Sequence, residues 1–276
     1  MITLPRITKK FLSSSIFLFF IPIFFSLDIT AQGKISKNKK AIINSLESKK
    51  ERLIEISDNI WEAAEPALLE FKSSKYLSDY AEENGFTVER GVADIPTAFT
   101  AEYGSGKPII GILGEFDANP GISQKKQPTK EPLIKGAAGH GCGHNLFGTA
   151  SLGAALAIKE LIESGEISGT VRFYGTPAEE TIFAKVWMVR AGLFDDLDIC
   201  MDWHPGDEIE ASTQSSKALV DFRLKFYGDA AHASGDPWNG NSAVDAMELY
   251  TTGLNYYREH VRPTARIHYD IEKAGD

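Results

Sequence analysis

Pro108-Ile109-Ile110-Gly111-Ile112-Leu113 is a near-continuous apolar run that leads directly into Glu115-Phe116-Asp117. A short run with so little polar interruption predicts a strand buried on both faces, as in parallel sheets. Gly169-Thr170-Val171-Arg172-Phe173-Tyr174 predicts a second strand, ending at Pro177-Ala178-Glu179-Glu180. Leu197-Asp198-Ile199-Cys200-Met201 predicts a third, ending at His204. Between the first two, small and apolar residues over 146–161 follow in helical order, as for a tightly packed helix. Between the last two, 183–191 reads as helix, closed by Gly192. Strand, helix, strand, helix, strand implies an α/β fold, a mostly parallel sheet with helices on both faces.

Upstream, Ile42, Leu46, Leu53, Ile56 and Ile60 recur at helical spacing, and Pro66 should end or kink that helix. A second helix is expected over 73–84, stopped by Gly85. Short strands are expected over 86–89 and 98–103, and 120–135 reads as a surface loop rich in Gln, Lys and Pro. From about Lys217 the character changes. Val220, Phe222, Leu224 and Phe226 alternate with Asp221, Arg223 and Lys225, as in an antiparallel strand with one wet face. Ala243, Met247, Tyr250, Leu254 and Tyr257 mark an amphipathic helix, and Ile267, Tyr269 and Ile271 alternate again. The expected organisation is a leader over 1–31, an α/β domain over 32–216 and a smaller α+β module over 217–276.

The chain has 276 residues, 43% hydrophobic and 24% charged, an ordinary globular balance. Lys plus Arg is 29 against 38 Asp plus Glu, a formal charge of -9, which makes nucleic acid a poor partner. Arg6, Lys9 and Lys10 precede the apolar run 11–27, and Ala31 follows as a small residue suited to cleavage. That pattern reads as a signal peptide and an exported chain; an uncleaved anchor is the competing reading.

In such sheets ligands bind beyond the carboxyl ends of the strands. Asp117, Glu179, Glu180 and His204 all follow a predicted strand, and His140, Cys142 and His144 lie in a glycine-flanked loop before a helix. Thiolate and imidazole suit zinc-like ions. Glu179 and Glu180 are adjacent, so in an extended segment they point to opposite sides, one toward a metal and one toward a water. Each feature has a plainer reading: a flexible loop, two acids opening a helix, a turn His, and a turn Asp before Asn119-Pro120-Gly121. His232 is either a loop residue or a visitor to a crevice from elsewhere. Cys200 reads as a core residue, and a Cys142–Cys200 disulfide is the alternative use of the two thiols. Cys142 as the nucleophile of a thiol amidase is a further alternative.

Four segments in order, Gly114–Gly121, Gly139–Asn145, Thr176–Glu180 and Asp202–Gly206, resemble the M20 metallopeptidases. The likeness is to their amidohydrolase branch, with its hippurate and indoleacetyl-amino-acid hydrolases, and runs from about residue 43 onward. It implies a dinuclear site for two divalent ions, Zn2+ or Mn2+, with Cys142, His144, Glu180 and His204 as ligands. It implies Glu179 as the general base on a metal-bridging hydroxide, and Asp117 as a carboxylate behind the ligands. The module from 217 then resembles a lid and dimerisation domain, in which His232 binds substrate or intermediate across the dimer. The implied reaction is cleavage of an amide between an acyl or aroyl group and an amino acid, aminobenzoyl-glutamate-like substrates included. A dipeptide substrate is the alternative within the family. The implied assembly is a homodimer, or a hetero-oligomer with a related subunit. Asn119 and Thr181-Ile182-Phe183 depart from the family pattern, the latter at the pocket rim. Asp276 falls inside the lid, before the family's last His ligand, so the resemblance reads this chain as truncated. A non-catalytic remnant that binds ligand or partner is the alternative function.

Overall fold

The computed structural model describes residues 35–211 and 215–275. The leader expected over 1–31 lies outside the described residues. Among those described, no helix is long and apolar enough to cross a membrane. The chain divides into two compact units, the first ending at Ile209 and the second starting at Glu210.

The first unit runs α1 (Lys37–Ala63), α2 (Phe71–Glu83), β1 (Thr87–Arg90), β2 (Phe99–Ser105), β3 (Ile109–Glu115), α3 (His144–Glu163), β4 (Gly169–Thr176), α4 (Glu179–Ile182), α5 (Ala184–Arg190) and β5 (Ile199–Met201). Ser36 Oγ accepts from Lys39 N and caps α1. The helix ends at Ala64, whose φ of 43° is left-handed, so it stops before the expected Pro66.

One five-stranded sheet has the order β1-β2-β4-β3-β5. β3 pairs in parallel with both β4 and β5, while β1 and β2 join antiparallel at one edge. The parallel core follows from helices crossing between its strands; β1 and β2 are separated by too few residues for such a crossover.

The two-residue period of the strands sorts the core onto two faces. Phe99, Ala101, Ile112, Val171 and Phe173 pack with Ile56 and Ile60 of α1, Leu77 of α2 and Leu152 and Leu156 of α3. Their sequence neighbours Leu113 and Tyr174 turn the other way, toward Ala184 and Met188 of α5. The helices therefore cover both faces, as expected.

Cys200 departs from its expected place in the core: it is an exposed, free thiol on the sheet's edge strand, and Ile199 beside it is exposed too. An edge strand has a neighbour on one side only, so an apolar sequence does not by itself bury it. Cys142 is also free, which removes the disulfide alternative.

In the second unit, α6 (Ala243–Tyr257) starts at Ser242, whose Oγ accepts from Asp245 N at 3.0 Å. The strands expected at 220–226 and 267–271 form no ladder among the described residues. Val220 and Phe222 are exposed. Alternation alone cannot make a strand, because its backbone groups need a partner strand. Asp229 and Asn241 instead form an isolated antiparallel bridge.

Candidate metal centre

Parallel pairing aligns the carboxyl ends of β3 and β4, with Glu115 opposite Thr176 in register, and β5 runs beside β3. The segments leaving these ends carry Asp117, Glu179 with Glu180, and His204. The α3 N-terminus arrives there with His144 as its first residue. Gly143 precedes it at φ 81°, and a Cβ there would lie 2.9 Å from Pro205 Cγ. Only glycine lets the Cys142 loop approach the His204 turn this closely.

His144 is fully buried, and its Nδ1 lies 2.9 Å from Asp117 Oδ1. Asp117 Oδ2 accepts from Glu180 N at 2.9 Å, so one carboxylate orients a histidine and the turn carrying two acids. His144 Nε2 lies 2.8 Å from Glu115 Oε2, a charge contact without hydrogen-bond alignment, and neither buried atom has a hydrogen-bond partner. Burial alone would push His144 down, but Asp117 and Glu115 override it and hold the imidazole at about 10. That is the environment of a bound cation.

His204 Nδ1 lies 2.9 Å from Pro205 O and can only donate to it, which leaves Nε2 with a bare lone pair. His140 likewise gives Nε2–H to Ile60 O at 3.1 Å, and its buried Nδ1 has no partner. Trp203 Nε1 donates to Ser151 Oγ at 3.0 Å, tying the His204 segment to α3. The His144 and His204 rings meet edge to face, 5.6 Å between centroids.

Ligand atoms of Cys142, His144 and His204 lie within 4.8 Å of one another, and so do those of Glu115, His144 and Glu179. Glu180 Oε1 is buried without a hydrogen-bond partner, 3.7 Å from His144 Nδ1. Several buried, unpartnered donors converging on one place are costly unless a cation completes them. A thiol, two imidazoles and carboxylates form a donor set that zinc-like divalent ions prefer. The residues present fit a metal.

Burial pushes Glu179 up, and Glu115 adds to the shift. Burial and the neighbouring Glu180 push the Cys142 thiol up to about 11. A thiol held that high is a poor nucleophile, which weighs against the thiol-amidase alternative.

The structure brings Asp117, Cys142, His144, Glu179, Glu180 and His204 to one end of the sheet. Of the two readings of the acid pair, the structure shows the plainer one: Glu179 and Glu180 open a one-turn helix rather than an extended segment, where Ala178 takes a left-handed φ of 57°. Glu115 was not singled out in the sequence. Its position two residues before Asp117, on the same face by strand periodicity, was the signal. Lys185 of α5, ion-paired with Glu115, had none.

His232 belongs to the second unit. Its Nδ1 accepts from Ser234 N at 3.2 Å and Gly235 N at 3.0 Å. In the neutral imidazole the proton therefore sits on Nε2, which is presented as a donor.

Residues 111–271 match the family described as peptidase family M20/M25/M40. The chain is 45% identical over 239 residues to one subunit of the p-aminobenzoyl-glutamate hydrolase of Escherichia coli (strain K12), covering 85% of this chain and 49% of that protein. It is 32% identical over 249 residues to the Xaa-Arg dipeptidase of Mus musculus, covering 86% and 54%. It thus spans about half the length of the curated relatives it matches. The crystal structure of aminobenzoyl-glutamate utilization protein from Klebsiella pneumoniae shares the fold at TM-score 0.56 and 18% identity, covering 78% of this chain and 60% of that one.

Proposed function

The chain belongs to peptidase family M20/M25/M40, and from that premise we propose that it is the metal-binding part of an amidohydrolase. The substrate class is an acyl or aroyl group joined by an amide to an amino acid. The name of the 45% identical hydrolase supports that class. The observation that carries the reading is the set of unpartnered buried atoms, Glu115 Oε2, His144 Nε2 and Glu180 Oε1, beside Cys142 and His204.

Cys142, His144, Glu180 and His204 would hold two divalent ions, zinc or manganese. When bound, such ions polarise the amide carbonyl and make water acidic enough to attack near neutral pH. Glu179 takes the proton of the attacking water and delivers it to the leaving amine; a carboxyl raised by burial is matched to both tasks. Asp117 holds His144 in the tautomer that presents Nε2. The second unit acts as lid and dimerisation module, and across that dimer its His232 would offer Nε2–H to the developing oxyanion in the partner copy's site. Assembly as a homodimer, or with a related subunit, and export through the 1–31 leader complete the proposal.

The test is metal counting followed by hydrolysis of an N-acyl and an aroyl amino acid, before and after chelation. Two ions per chain and activity lost to the chelator support the enzyme. One ion or none, with no turnover, supports a non-catalytic remnant. Turnover that survives chelation refutes the metal route.

A further inference from the structure

Glu70, at the N-cap position of α2, is fully buried and forms no ion pair among the described residues. Its side chain does not cap its own helix. Glu65 does that work, accepting from Lys72 N, Ser73 N and Ser73 Oγ. Glu70 is thereby free to reach across the fold. One carboxylate oxygen accepts from Ala178 N at 2.9 Å, and the other from Thr97 Oγ1 at 3.1 Å, both on fully buried residues.

Ala178 is the left-handed residue that starts α4, and the next two residues are Glu179 and Glu180. A non-glycine residue holds such a conformation only where its surroundings over-determine it. Asp117 grips the same turn from its other end, through Glu180 N. The turn is thus clamped on both sides by carboxylates. A second link runs parallel to this one: Ala118 N donates to Glu65 O at 2.9 Å. The segment joining α1 to α2 therefore fastens both chain stretches that leave β3 and β4 toward the site.

We propose that Glu70 is a positioning residue: its buried carboxylate holds the left-handed turn at Ala178 and thereby sets where Glu179 and Glu180 point. It touches neither substrate nor metal, and its effect on the metal rests on the function proposed above. Glutamine at this position keeps an acceptor for Ala178 N. Leucine fills the space without one, and aspartate withdraws the acceptor by one methylene while keeping the carboxyl group.

The test is hydrogen–deuterium exchange over peptide 175–183, with zinc affinity measured on the same proteins. In Glu70→Leu, exchange at 175–183 should rise about tenfold while α2 and β4 stay protected. Zinc affinity should fall about tenfold or more. Glu70→Gln should restore both. If Glu70→Leu fails to fold, Glu70→Asp takes its place with the same expectation. Unchanged exchange at 175–183, or a rise spread evenly over the unit and not rescued by Glu70→Gln, overturns the proposal. A wild-type protein that binds no zinc would refute the metal reading, while the exchange measurement still decides the role of Glu70.

Discussion

The Asp117 carboxylate lies 2.9 Å from His144 Nδ1, with both side chains buried, so the ring keeps its Nδ1 proton and Nε2 is the nitrogen freed when a ligand displaces a proton. Asn in place of Asp117 keeps the size but weakens the pull on the Nδ1 proton. Asp117→Asn should therefore lower metal affinity by roughly ten- to a hundred-fold. Competition with a chromophoric chelator measures it, and affinity equal to wild type would show that Asp117 does not orient the ligand.

Glu179 is the member of the acid pair assigned to proton transfer. Glu179→Gln should cut hydrolysis by about a hundred- to ten-thousand-fold while leaving the metal content unchanged. Loss of metal together with activity would move Glu179 into the ligand set.

Burial, followed by the nearby Asp117, pushes Glu70 up to about 7 in the folded state, against 4.5 for the free side chain. The folded protein thus favours the protonated acid. This contribution to stability is present below about pH 4.5 and is lost as pH rises through about 7, on the order of 3 kcal/mol at most. Glu70→Gln stays neutral at every pH. The stability of Glu70→Gln relative to wild type, from urea unfolding, should therefore grow between pH 4.5 and 8. A difference that stays flat with pH would mean Glu70 titrates normally.

Gly148 sits inside α3, where alanine is ordinarily favoured by about 1 kcal/mol. A Cβ there would lie 2.6 Å from Glu115 O and 3.1 Å from Leu77 Cδ1. Crowding against backbone costs typically 1–3 kcal/mol and outweighs the helix preference. Gly148→Ala should lower the unfolding midpoint and disturb metal binding, since Glu115 must shift. A stabilised variant would show that α3 and β3 have slack between them.

Much of the first unit could be read along the chain because its signals are local. The apolar runs before Asp117 and before Pro177 become β3 and β4, and the small-residue stretch after His144 becomes α3. The candidate residues gathered at one end of the sheet were legible for the same reason: Asp117, Glu179, Glu180 and His204 follow a strand, and Cys142 and His144 lie at the start of α3. Glu70 and Lys185 were not, since a polar residue's partner across the fold leaves no trace in spacing. The sequence offers a helix opening at Glu179, but not the left-handed Ala178 before it, which has no sequence mark of the kind glycine provides.

In the first unit the order of residues alone marked most strands and helices, since those signals lie in neighbours a few positions apart. Tertiary structure decided the rest: that β5 lies at an edge and leaves Cys200 exposed, that 220–226 pairs with no strand among the described residues, and that Glu70 reaches Ala178. Those outcomes turn on which surfaces meet, and hydrogen bonds and burial are settled only when distant segments arrive at the same place.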